Sequence, residues 1–146
     1  MKSKLLIIIF SILTITFISC QSKDDSWFKN VGNKFYTNTK SQSILFIADR
    51  VLVGDEKTVI DPVGSLITLA TTSVKEIKSK NEAVYTMEFF GNQDFNFKLE
   101  GNTLNAVING EDVKFYYNDE LTKKYNTNIT AMQEWIEEYN ATNTQN

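Results

Sequence analysis

Residues 83–117 carry the pattern that most restricts the fold. Phe95, Phe97 and Leu99 alternate with Asn96, Lys98 and Glu100. Leu104, Ala106 and Ile108 alternate with Asn105, Val107 and Asn109, and Val113, Phe115 and Tyr117 continue the rhythm. Tyr85, Met87 and Phe89 begin it. A period of two sends successive side chains to opposite faces, so each segment reads as a strand with one inward face. The segments are separated by Gly91-Asn92-Gln93-Asp94, Gly101-Asn102 and Asn109-Gly110. Asn and Gly tolerate positive φ, which tight hairpin turns require. Four strands at intervals of about ten residues predict an antiparallel meander.

The remaining chain extends this β pattern and closes with a helix. Residues 34–38 offer a first strand through Phe35 and Tyr36. Residues 43–53 (SILFIADRVLV) predict a strand buried on both sides at its start and bent near Asp49-Arg50. Residues 54–57 predict a turn. Residues 58–60 predict a short extended piece, stopped by Asp61-Pro62 because proline pushes its predecessor away from helix. Residues 65–72 and 74–77 are further strand candidates. Residues 118–128 are polar. Beyond them, Ile129, Met132, Trp135, Ile136 and Tyr139 follow helical spacing, with Glu134, Glu137 and Glu138 opposite. Thr130 and Gln133 have the spacing of a capping box, so a C-terminal amphipathic helix of about three turns is expected. The fold class expected is mainly β: a small antiparallel barrel or sandwich of about seven or eight strands with one C-terminal amphipathic helix.

The N-terminal segment carries an address. Lys2 and Lys4 precede an uncharged, mostly apolar run over residues 5–18, and Ser19 stands before Cys20, the chain's one cysteine. A cationic start, a short apolar run and a small residue form secretory signal chemistry. A bilayer span needs about 20 apolar residues. Phe17-Ile18-Ser19-Cys20 resembles the lipobox of bacterial lipoproteins, with Phe17 where that family prefers Leu. The resemblance implies cleavage before Cys20, palmitate-type acylation at Cys20 and attachment to the membrane through the lipid. The residues that follow, Gln21, Ser22, Lys23, Asp24 and Asp25, resemble the export signal of Bacteroidetes surface lipoproteins, in which a lysine and acidic residues follow the lipidated cysteine. That resemblance implies an outward-facing, surface-exposed location at the outer membrane. A periplasmic-facing lipoprotein is the alternative.

These signals divide the chain into a signal peptide (1–19), a lipidated cysteine and tether (20–33), one β-rich domain with its helix (34–140), and a disordered tail (141–146). Within the tether, Trp27 and Phe28 are expected to tuck against the domain, with the lipid headgroup zone as the alternative. Cleavage removes Lys2 and Lys4 and leaves 13 basic residues against 18 acidic ones, a formal charge of −5. A net acidic domain with one arginine, Arg50, does not suit nucleic acid, which requires clustered cations.

Histidine is absent, which excludes a Ser-His-Asp or Cys-His arrangement and removes the usual ligands of zinc, copper and haem. No metal or cofactor is expected, and there is no glycine-rich phosphate loop. Asp49, Asp55, Glu56, Asp61, Glu88, Asp94 and Glu100 could in principle supply a carboxylate pair, but nothing marks one pair as desolvated. The chain therefore reads as a non-enzyme. Inward rings among Phe46, Tyr85, Phe89, Phe95, Phe97 and Phe115 could line an apolar ligand cavity in a small barrel, or fill its core. Adjacent rings such as Tyr116 and Tyr117 place one of each pair outside.

The hairpin rhythm over residues 34–117, with Leu99-Glu100-Gly101-Asn102-Thr103-Leu104, resembles the small lipocalin-like lipoproteins of Bacteroidetes, although Gly32-Asn33-Lys34 stands where true lipocalins carry Gly-x-Trp. The expectation is a lipid-anchored, non-enzymatic binding or interaction module, whose partner is an unknown protein or a small apolar ligand. Its alternatives are an anchored inhibitor or immunity protein against a toxin or hydrolase, and a lipocalin-like carrier.

Overall fold

In the computed structural model, residues 25–60, 69, 71–88, 91–108 and 110–144 are described. The chain begins with helix α1 (Ser26–Val31) and continues through β1 (Phe35–Thr37), β2 (Gln42–Ile47) and β3 (Arg50–Asp55). Helix α2 (Glu56–Ile60) follows. Then come β4 (Thr72–Ser79), β5 (Glu82–Met87), β6 (Gln93–Glu100), β7 (Thr103–Ile108) and β8 (Glu111–Tyr117). Helices α3 (Asp119–Lys124) and α4 (Asn126–Asn143) end the chain.

The eight strands form one antiparallel sheet in the order β3-β2-β1-β8-β7-β6-β5-β4. Except for β3 and β4, each strand neighbours its successor in sequence, and β8 returns to pair with β1 through Tyr36↔Tyr117 and Thr37↔Tyr116. The two sheet edges, β3 and β4, are thus consecutive strands that meet across a seam. There the Val74 amide donates to the Asp49 carbonyl at 3.2 Å. The Val51 amide donates to Thr72 Oγ1 at 3.3 Å, and the Arg50 guanidinium donates to the Thr72 carbonyl. The result is a nearly closed barrel. Register shifts in β4 between Val74 and Glu76, and again between Ile77 and Ser79, bend that strand toward closure.

Burial follows the alternation. In β6, Phe95, Phe97 and Leu99 face in, while their alternate residues stand in solvent. By contrast, β2 is buried on both faces from Ser43 to Ile47. Ile44 and Phe46 join the inner core. Leu45 and Ile47 belong to a second core outside the barrel, with Phe35, Leu52, Val59, Ile129, Met132 and Ile136. The apolar run over residues 43–53 is therefore the wall between two cores, which explains why it lacks a polar phase.

Several sequence expectations are corrected here. Residues 43–53 form a hairpin instead of one bent strand: Ile47 pairs with Arg50 around Ala48-Asp49, and Ala48 takes φ 50°. Residues 58–60 belong to helix α2, whose start is capped by the Asp55 carboxylate accepting from the Thr58 amide at 2.7 Å. The tether contains helix α1, in which Trp27 and Val31 share one buried face. α1 stops at Gly32, where a Cβ would strike the Phe28 carbonyl. The polar stretch after Tyr117 holds α3, capped by the Asn118 side chain accepting from Leu121 N at 2.9 Å. α4 starts at Asn126, so Thr130 lies inside it, and its 18 residues exceed the expected three turns and reach into the presumed tail. The strand expected over residues 65–72 falls largely outside the described residues.

Because every neighbouring pair is antiparallel, the turns sort into two groups. The β2–β3, β4–β5 and β6–β7 turns lie at one end, and the β1–β2, β5–β6 and β7–β8 turns at the other. Helix α1 closes the first end: Asn30 Nδ2 donates to the Lys80 carbonyl at 2.8 Å, and the Asn33 amide to the Phe46 carbonyl at 2.7 Å.

Candidate functional site

The aromatic residues singled out from the sequence converge inside the barrel. Phe46 on β2 is the hub. Its ring lies 5.2 Å from that of Phe97 on β6, edge to face. It also lies 5.6 Å from Tyr85 and 5.6 Å from Trp27. In the sheet order β2 and β6 lie four strands apart, so the Phe46–Phe97 contact crosses the barrel. Phe95 stacks on Phe97 at 6.4 Å, and Phe115 is fully buried in the same core. Phe89 lies outside the described residues. Five of the six candidate ligand-contacting rings are thus packed against one another and against Trp27.

Trp27 and Arg50 are the residues that the sequence reading did not assign to this arrangement. Trp27 is 0% exposed, and its indole Nε1 donates to Tyr85 Oη at 3.0 Å. Buried indoles and phenols need such partners, and here each satisfies the other. The i, i+4 spacing of Trp27 and Val31 was the available signal. Arg50 pins the seam: besides Thr72, it reaches Asn140 Oδ1 on α4 at 3.2 Å and Asp49 Oδ1 at 3.4 Å. Its being the chain's one arginine was the signal, since planar, multidentate donation is what such a junction uses.

Burial sets the ionisation of two tyrosines. Desolvation, helped by the charge of Tyr117, pushes Tyr36 up to about 12. Desolvation raises Tyr85 further, with the charge of Asp49 adding to it and the Trp27 hydrogen bond opposing. Both hydroxyls stay neutral in the folded barrel.

The carboxylates serve local structure. Asp55 is lowered by its hydrogen bonds to Thr58, Asp94 by Lys75 and Thr86, and Glu100 by Lys98. Lys75 meets Asp94 at 2.5 Å and Lys98 meets Glu100 at 2.9 Å, all on the solvated wall. Tyr125 Oη donates to Glu56 at 3.3 Å. Asp61 lies outside the described residues. Among the described residues, no group of three or more Asp, Glu, His or Cys converges as a metal site. No helix among them is long and apolar enough to cross a membrane.

Two clefts bounded by described residues open on the outside. One, of about 290 Å³, lies at the α1 end between Asp25, Phe28, Lys29, Asn33, Ala48 and Gln133. The other, of about 200 Å³, runs along the solvated wall past Lys78, Glu82, Asn96, Lys98 and Asn105. Tyr116 stands out from that wall, 52% exposed, while its neighbour Tyr117 packs inward.

The fold and core define a nearly closed eight-stranded antiparallel barrel with an aromatic interior. Comparison with protein-family models, with curated proteins and with solved structures finds no match.

Proposed function

We propose that the chain is a lipid-anchored, non-enzymatic binding module of the outer membrane, displayed on the cell surface, which meets its partner through the outside of the barrel. The contact of Phe46 with Phe97 across the barrel carries this reading. A carrier needs an interior that a ligand can enter, whereas rings that touch across the lumen leave recognition to the walls, the rims and the exposed Tyr116. The lipobox-like Phe17-Ile18-Ser19-Cys20 and the following Lys23-Asp24-Asp25 support the anchored, outward-facing placement. Two or more acyl chains would make attachment durable, since one alone binds reversibly.

The test is protease treatment of intact cells expressing the native chain, Cys20→Ala, or a variant with Lys23, Asp24 and Asp25 all changed to Ala. Cleavage of the native chain from outside, with protection of the triple variant, is the expected result. Protection of the native chain in intact cells, with digestion only after lysis, would place it on the periplasmic side and refute surface display.

A further inference from the structure

Helix α4 violates a local rule of helix stability beside an aromatic pair that nothing covers. It contains three glutamates, Glu134, Glu137 and Glu138, and no lysine or arginine. Glu134 and Glu138 stand four residues apart, and Glu134 and Glu137 three apart, so each pair sets like charges side by side and costs the helix stability. All three carboxylates are exposed, and none has an ion-pair partner among the described residues. Cations on the elements around α4 do not relieve them. Arg50 is engaged with Thr72, Asn140 and Asp49, and Lys124 sits over the Tyr125 ring. Lys29 on α1 and Lys57 on α2 form no ion pair among the described residues.

Trp135 and Tyr139 stand next to these charges. Their rings stack with centroids 5.2 Å apart and planes inclined by 23°. Trp135 packs against the second core and is half-buried, whereas Tyr139 is 38% exposed. At 100° per residue, Glu138 lies between Trp135 and Glu134 on the helix surface, so two carboxylates flank the ring pair on one side. Glu137 lies further round. A stacked ring pair beside two unpaired carboxylates is complementary to a planar cation: the ring faces attract it, and the carboxylates accept its hydrogen bonds. Guanidinium has that shape and a forked set of donors, which ammonium lacks. Local rules are broken most often where a sequence serves a function.

We infer that this face of α4 is where the module meets its partner, and that the partner is a protein presenting an arginine-bearing segment to Trp135, Tyr139, Glu134 and Glu138. The inference rests on the reading that recognition takes place outside the barrel, and it names the face. A bound guanidinium relieves the repulsion between Glu134 and Glu138, so part of the stability that the free helix forgoes returns on binding. Aromatic side chains at the centre of such a contact supply the area, and the carboxylates supply the selection for positive charge.

The probe is a terminally blocked peptide of alternating glycine and arginine, titrated into the isotope-labelled full chain, purified from membranes in zwitterionic detergent and followed by NMR. The chain has two indole N–H signals, Trp27 and Trp135. The Trp135 signal should shift saturably, with the backbone of α4, while the Trp27 signal stays in place. Changing Glu134→Gln and Glu138→Gln together should weaken binding by about tenfold or more. It should also raise the melting temperature of the free protein, because the repulsion is removed. Tyr139→Ala should weaken binding several-fold with little change in the melt. Glu111→Gln with Asp112→Asn, at the start of β8, removes the same charge from another surface and should leave binding nearly unchanged. An equal loss from that pair shows attraction to net charge alone and overturns the site, as does a lower melting temperature in the double glutamine variant. Absence of any saturable shift, or a shift centred on Tyr116, refutes this face and leaves recognition outside the barrel standing. A shift of the Trp27 signal shows entry into the interior and refutes that reading as well.

Discussion

Trp27 Nε1 donates to Tyr85 Oη at 3.0 Å, joining the first helix to a strand 58 residues away inside the barrel. Trp27→Phe keeps most of the apolar volume and leaves the buried Tyr85 hydroxyl without its donor, which should cost about 1–3 kcal/mol. Trp27→Ala also opens a cavity and should cost about 3–5 kcal/mol. Urea unfolding followed by circular dichroism measures both. If the hydrogen bond is what matters, Tyr85→Phe combined with Trp27→Phe should cost less than the two single changes added together.

The seam between β3 and β4 depends on Thr72. Its hydroxyl accepts from Val51 N and donates to the Leu69 carbonyl at 3.3 Å, and it is completely buried. Thr72→Val keeps the shape and strands the Val51 amide, so a loss of about 1–3 kcal/mol is expected. Thr72→Ser retains the hydroxyl and should cost less. Amide hydrogen exchange at Val74, which bridges to Asp49 across the seam, should quicken in the valine variant more than exchange in β6 and β7.

Alkaline pH should loosen the barrel through its tyrosines. Tyr36 has a folded value of about 12 against 10.0 when unfolded. Its neutral form is therefore favoured by folding. That contribution is fully present below pH 10 and is lost as the pH rises through about 12. Tyr85 shifts in the same direction. Phenolate absorbance should show two tyrosines that ionise late, together with unfolding, and Tyr36→Phe should remove one of them.

Position within the barrel should govern tolerance to substitution. Phe46→Ala removes a ring that touches four others and should cost about 3–5 kcal/mol. Tyr116→Ala, on the exposed wall, should change stability by no more than about 0.5 kcal/mol. Thermal melts of the two variants compare them directly.

The meander was legible because β5 to β8 have solvent on one side. Asn96, Lys98 and Glu100 mark the wet face as clearly as Phe95, Phe97 and Leu99 mark the dry one. The wall of β2 and β3 was harder to read. Helix α4 covers its outer face, so Leu45 and Ile47 are as apolar as Ile44 and Phe46, and no alternation remains to show the hairpin. The turn at Ala48-Asp49 carries no glycine or proline either, although Ala48 adopts the left-handed conformation that glycine most readily takes. Helices α1 and α2 are too short for periodicity to declare them; tertiary burial of Trp27, Val31 and Val59 holds them. The inward aromatic phase could be read from the sequence, but whether those rings line a space or fill it depends on contacts across the barrel, which strand spacing does not encode.

The central claim is that this interior is a core and that recognition takes place outside it. Titrating the purified Trp135→Phe variant, whose one tryptophan is Trp27, with a fluorescent fatty-acid analogue, while following Trp27 emission, tests it most directly. The expected result is no saturable uptake and no change in Trp27 emission, because Phe46 and Phe97 already meet in the lumen. Saturable binding that alters Trp27 emission and is lost when Phe97 is changed to Trp would show an interior site and contradict the claim.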